Sequence, residues 1–159
     1  MAIELIGIVA VSTTLGAALV GGIFFAFSTF VMTALGRLHR EQGIAAMQSI
    51  NVAVLNPWFL VVFFGTALGS IALALLGVLD WGAPGSAYLV SGSLLYLIGC
   101  ILVTIVFNVP LNHGLAAVEP GSTEGAETWT RYLSTWTKWN HLRTVASLAA
   151  AASFIMAIR

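Results

Sequence analysis

Polar positions in this chain fall in clusters, and the stretches between them are apolar. Residues 5–36 hold no charged side chain. A helix needs roughly 20 apolar residues to cross a bilayer, so the pattern predicts a tilted first span at about 6–35. Small residues recur every fourth position at Ala18, Gly22 and Ala26, the spacing at which lipid-embedded helices approach closely. Ser28 and Thr29 read as hydroxyls that bond back to their own helix carbonyls. A charged cluster follows at Arg37, His39, Arg40 and Glu41. Next, Ile44, Met47, Ile50 and Val54 mark one helical face and Gln48 and Asn51 another. That pattern predicts a short interfacial helix at about 41–54.

Asn56-Pro57 suits a helix start, because proline is tolerated in a first turn and the residue before it avoids helix. A second span is expected at 57–79, with Trp58 at its entrance and Gly65 and Gly69 forming a GxxxG packing motif. Residues 80–85, DWGAPG, read as a tight turn. A third span is expected at 86–107. It should be stopped or kinked by Pro110, whose missing N–H leaves carbonyls near Phe107 without a donor. Asn108, Asn112 and His113 stand beside that break. Ser122 or Thr123 can cap the next helix, whose first turns carry Glu124 and Glu127.

Residues 128–144, TWTRYLSTWTKWNHLRT, are the densest aromatic and polar stretch. Trp129, Leu133, Trp136, Asn140 and Arg143 are spaced 4, 3, 4 and 3, which places them on one helical face. The apolar run at 145–158 is too short to span alone. A 20-residue helix ending at Ile158 begins at Trp139 and carries Asn140, His141 and Arg143 to membrane depth or its edge. Polar groups there should face a partner or a wet cavity. The amphipathic helix before them runs into a fourth span at about 139–158.

Only 8% of residues are charged and 59% are hydrophobic, against about 25% charged in a soluble domain. Mean hydropathy is +0.99. The chain reads as a multi-pass integral membrane protein in contact with the lipid bilayer, forming a single domain over 1–159. Its fold class is all-α: a four-helix transmembrane bundle, with the interfacial helix after the first span and the amphipathic helix before the fourth. Net charge is zero, and nothing points to nucleic acid. Glu4 and the lack of a basic residue before a long apolar run argue against a cleaved signal peptide. Arg37, Arg40, Arg131, Lys138 and Arg143 share one side, leaving Arg159 on the other. The positive-inside rule then expects cytoplasmic charged loops in the cell membrane, with both termini outside.

Polar residues gather at that cytoplasmic end: Gln48, Asn51, Asn56, Trp58, Asn108, Asn112, His113, Asn140, His141 and Arg143. The opposite end offers Glu4, Asp80, Trp81 and Arg159. His39, His113 and His141 show no HxxH or HExxH spacing, so no metal site is expected. No phosphate loop, nucleotide fingerprint or GxSxG is present, and Cys100 lies alone in an apolar run. A channel built on an acidic ring or a proton-coupled transporter would carry an in-span acid, and the spans hold none, so neither is expected.

The segments GGIFFAFSTFVMTAL, AMQSINVAVLNPWF, FNVPLN and WTKWNHLRT resemble the anthrone oxygenase-like family of small membrane proteins, over about residues 5–157. The resemblance implies a monooxygenase type of oxidoreductase. Characterised members oxidise anthrones to anthraquinones with O2 and no bound metal or flavin, so no cofactor is expected. It departs at Val145-Ala146-Ser147, where fungal relatives carry a proline. On that reading His113 or His141 would act as base and Arg143 would hold developing negative charge. Gln48, Asn51, Trp58, Asn108, Asn112, Trp136 and Asn140 would bind a flat, lipophilic aromatic substrate. Two other classes fit the same residues. One is a non-enzymatic lipophile-binding or transport protein. The other is a structural protein whose glycine faces dock a partner or a homo-oligomer.

Overall fold

The computed structural model describes residues 2–159, with side chains from residue 6 onward. Glu4 therefore lies outside the described side chains. Five helices account for almost the whole chain: α1 (2–37), α2 (Arg40–Ala53), α3 (Pro57–Leu79), α4 (Ser86–Ala116) and α5 (Thr123–Ala157). Among the described residues no strand forms. Three helices are long and apolar enough to cross a membrane, at Ile6–Arg37, Pro57–Leu79 and Ser86–Ala116. α5 is 35 residues long, or about 52 Å at 1.5 Å per residue. Its charged first half keeps it out of that apolar class.

Local chemistry explains most boundaries. Pro57 opens α3, and the Asn56 side chain caps it by accepting a hydrogen bond from the Phe59 N–H at 3.0 Å. Ser122 caps α5 by accepting from the Gly125 N–H at 2.9 Å. The α3–α4 turn closes on Gly85, at φ +88°. A side chain there would be strained, and its Cβ would press on the Ala157 carbonyl at the end of α5. Gly85→Ala is expected to destabilise the fold by about 1–3 kcal/mol, read as a lower melting temperature in detergent. An unchanged melting temperature would count against this description of the turn.

Two expectations need correction. Pro110 neither stops nor sharply ends α4, which continues to Ala116 rather than closing at 107. The ladder before the proline widens instead, with π-helical segments at Leu97–Leu102 and Thr104–Asn108. A wider turn changes which carbonyl faces the ring and the missing N–H, so the helix absorbs the proline. α1 carries a comparable segment at Phe27–Val31. The second correction concerns the small residues. Ala18 and Gly22 are exposed, and a Cβ on Gly22 would meet nothing within 4 Å. The packed stripe of α1 is Ala10, Thr13, Ala17, Val20 and Phe24. Of the GxxxG pair, Gly69 lies against the Thr13 side chain and Gly65 faces open space.

α1 packs against α3 and α5, and α4 packs against the same two helices. α2 lies against the ends of α1 and α4 and the first half of α5. The buried apolar residues form two separate cores. One, including Val20, Phe24, Phe63, Tyr96, Cys100 and Phe154, lies among the four long helices. The other, including Met32, Ile44, Met47, Leu115, Trp129 and Trp136, forms a cap around α2.

Candidate functional site

Between the two cores lies a buried polar layer. On three helices its residues fall between the core positions. Ser28 follows Phe24 and precedes Met32 on α1. Thr104 and Asn108 separate Cys100 from Leu115 on α4. Asn140, Arg143, Thr144 and Ser147 separate Trp136 from Ala150 on α5. The π-helical segments of α1 and α4 hold Ser28, Thr104 and Asn108. Such segments recur at functional sites because they reposition side chains relative to a regular helix.

Asn140 and Arg143 are the centre of the layer, 0% and 4% exposed. Asn140 Nδ2 donates to the Phe24 carbonyl at 2.7 Å and to Ser28 Oγ at 2.8 Å. Its Oδ1 accepts from Arg143 Nη2 at 2.7 Å. Arg143 Nη1 donates to Thr104 Oγ1 at 3.2 Å. The guanidinium carbon lies 4.1 Å from the Phe24 ring centre and 5.2 Å from that of Trp136. None of its hydrogen bonds goes to a carboxylate. Among the described residues, all five acids (Glu41, Asp80, Glu119, Glu124 and Glu127) are exposed. A buried cation held only by neutral dipoles and aromatic faces is electrostatically unbalanced, because burial of an unpaired charge is costly.

Above Arg143, Trp129, Tyr132 and Trp136 stack along α5 with ring centres 5.8 and 5.7 Å apart. Asn112 Oδ1 ties this ladder to α4, accepting from Tyr132 Oη at 2.7 Å and Trp136 Nε1 at 2.8 Å. Burial pushes the Tyr132 phenol well above its ordinary range, so it stays a neutral donor. Asn108 Nδ2 donates to the Trp136 carbonyl at 3.2 Å. Gln48 Nε2 donates to the Leu115 and Val118 carbonyls, fastening α2 to the end of α4. Asn51 reaches Tyr132 Oη only at 3.4 Å, near the outer limit of such a bond.

The structure thus brings together Asn108, Asn112, Trp136, Asn140 and Arg143, with Gln48 and Asn51 at the cap. It leaves out three residues singled out in the sequence. His113 and His141 are exposed, and Trp58 is 85% exposed. His113→Ala and His141→Ala are therefore expected to change stability by less than about 0.5 kcal/mol, measured by thermal denaturation. A drop of several degrees would reveal a packing role for either. Phe24, Ser28, Thr104, Tyr132 and Thr144 join the site unannounced. Ser28 meets Thr144 at 3.0 Å rather than bonding back along its helix, whereas Thr29 does bond back, to Phe25. Among the described residues, no three His, Cys, Asp or Glu side chains converge as metal ligands would.

Two open spaces lie away from this layer. A groove of about 520 Å3 runs between α1 and α3, lined by Ile8, Leu15, Val61 and Gly65 among others. A second of about 550 Å3 lies at the start of α5, beside Glu124, Glu127 and Arg131.

Comparison with known proteins gives a family match only: no curated protein and no solved structure is similar enough to register. The family model for anthrone oxygenase matches residues 58–153. That region is more than half of the chain and includes Thr104, Asn108, Asn112, Trp136, Asn140 and Arg143. The chain belongs to the anthrone oxygenase family.

Proposed function

We propose that this protein oxidises an anthrone-type substrate, a flat and lipophilic C–H acid, with O2 at the buried Arg143 layer. The observation that carries the reading is a guanidinium without an acidic partner, bordered by aromatic faces. An anthrone anion is its chemical complement. It is apolar, planar and singly negative, with charge delocalised over fused rings. A buried cation stabilises such an anion far more than water does, because the surrounding dielectric is low. Stacking against Trp136 would orient the polycycle.

The chemistry balances with O2 alone. Removal of one proton from the central CH2 gives the delocalised carbanion. One-electron transfer to O2 gives a substrate radical and superoxide, which combine into a C–O–O bond. Protonation, loss of the second C–H proton and departure of hydroxide leave the quinone carbonyl, so anthrone and O2 become anthraquinone and water. Arg143 acts by lowering the energy of the anion, and solvent water at the cytoplasmic face takes the proton and later returns one to the peroxide. The exposed histidines hold no position in this layer, so the reading assigns the chemistry to Arg143 rather than to an imidazole.

The same reading takes the chain as one four-helix transmembrane bundle, with the second half of α5 as its fourth span. It lies in the cell membrane with α2 and the charged loops on the cytoplasmic side and both termini outside. The positive-inside rule supports this orientation, since Arg37, Arg40, Arg131 and Lys138 all fall in the segments it puts there. A lipophilic guest held in the bilayer would enter beneath the cap, where the polar link between α2 and α5 is the long Asn51–Tyr132 bond.

Purified protein in detergent, supplied with emodin anthrone, is expected to consume O2 well above the detergent-buffer rate. One O2 should disappear for each quinone formed. A rate equal to that of detergent buffer would refute the assignment.

A further inference from the structure

Away from the Arg143 layer, the opening at the start of α5 carries charges of both signs. It holds about 550 Å3 and lies between the end of α4, at Gly114 and Ala117, and Glu124, Glu127, Thr128 and Arg131 of α5. Both glutamates and Arg131 are exposed. A Cβ on Gly114 would meet nothing within 4 Å, so one wall of the opening is helix surface without a side chain.

The charges are ordered along the helix. From water toward hydrocarbon, α5 presents Glu124 and Glu127, then Arg131 and Lys138, then Trp139, and then the exposed Leu142 and Val145. Glu127 is the last acid in the sequence. Arg131, Lys138, Leu142 and Val145 are spaced 7, 4 and 3, so they share one outward face. Trp139 stacks on Phe107 of α4 with ring centres 3.7 Å apart, an aromatic pair of the kind that gathers at membrane interfaces. The C-terminal end of α4, at Ala116, adds the partial negative charge of a helix terminus near the glutamates.

A phospholipid with a phosphoethanolamine headgroup has the complementary order: ammonium, phosphate, glycerol and acyl chains follow one another from water into the bilayer. One helical turn separates Glu127 from Arg131, about 6 Å along the axis, which suits the two-carbon link between ammonium and phosphate. We infer that this opening binds the headgroup of one phosphoethanolamine lipid. Glu124 and Glu127 accept hydrogen bonds from the ammonium, and Arg131 and Thr128 donate to the phosphate. Lys138 lays its stem along the chains and turns its ammonium up toward the phosphate. A headgroup with no cation meets two glutamates it cannot pair, and a choline has no N–H to give them. The inference rests on the reading of the second half of α5 as a span and makes no use of the oxygenase chemistry.

The probes are dioctanoyl phosphatidylethanolamine, phosphatidylcholine and phosphatidylglycerol, each titrated into the purified chain in detergent while melting is followed. The ethanolamine lipid should raise the melting temperature saturably, at concentrations about fivefold or more below the other two, the scale of one exposed ion pair. Glu124→Gln combined with Glu127→Gln should abolish that preference. Gly114→Leu fills the opening and should remove the lipid effect from a helix that leucine otherwise favours over glycine. No saturable shift with the ethanolamine lipid, or equal shifts with all three, would overturn the site. So would either variant keeping the wild-type preference. Cys100 is buried, so an Arg159→Cys protein labelled on intact cells by a membrane-impermeant maleimide tests the span separately. A labelled terminus without an ethanolamine preference overturns the headgroup site alone, and an unlabelled one removes the span and the site together.

Discussion

Arg143→Met is expected to lower anthrone oxidation by about 10²–10³-fold, the scale of losing one preorganised donor to a developing anion, while leaving the fold nearly as stable. The two effects separate because of what surrounds the side chain. Methionine fills much of the same volume and removes a buried charge that has no acidic partner. Replacing buried charge with well-packed apolar volume is often neutral or stabilising. Against that gain, Asn140 Oδ1 loses its donor, a penalty of about 1–3 kcal/mol. Thr104 keeps its hydroxyl bond to the Cys100 carbonyl. Steady-state turnover and melting temperature, measured on the same preparation, check the pair of outcomes. A purely structural arginine would show the reverse pattern, with melting lowered and activity reduced only in proportion.

Asn140→Ala is the substitution expected to cost most in stability, about 3 kcal/mol. Asn140 spans two interfaces. Its Nδ2 holds α1 through the Phe24 carbonyl and Ser28, and its Oδ1 holds the guanidinium. Alanine leaves Arg143 Nη2 without an acceptor and opens a small void, each worth about 1–3 kcal/mol. Chemical denaturation followed by tryptophan fluorescence checks it, because Trp136 contacts the layer. Asn140→Asp is the informative companion. A carboxylate there supplies the counter-ion that Arg143 lacks, so it should block use of the cation by a substrate anion and suppress turnover. An Asn140→Asp protein with full activity would show that the unbalanced charge is not what the site uses.

Helix limits were legible wherever a local signal fixes them. Pro57 with Asn56, Ser122, and the Asp80-to-Gly85 turn all act within a few residues. The buried face of α5 was legible as well, because α5 is a regular helix. Counting 4, 3, 4, 3 from Trp129 reaches Trp136, Asn140 and Arg143, all buried. Counting fails on α1 and α4. A π-helical segment inserts an extra residue into the turn, and each residue advances the helix by about 100°. The faces of Ser28, Asn112 and His113 therefore depend on segments that no local residue announces. His113, adjacent to Asn112 in sequence, is exposed while Asn112 reaches inward to Tyr132 and Trp136. Pro110 looked like a stop because its ring and missing N–H are local facts, whereas the widened ladder that accommodates it is set by packing. The small-residue spacing on α1 misled for a related reason. Glycine and alanine occur on both sides of that helix, and only the positions of Thr13 and Thr66 reveal which side closes.

The central claim is that Arg143 stabilises a substrate anion. An anaerobic titration of protein-bound anthrone, following the absorbance of its coloured anion against pH, tests it without any oxidation step. A nearby cation lowers the pKa of a C–H acid, so the anion should form at a pH at least one unit below that for anthrone in empty detergent micelles. In Arg143→Met it should form at the micelle value. Ionisation of wild-type-bound anthrone at the micelle pH, or the same depressed value in the methionine variant, would contradict the claim.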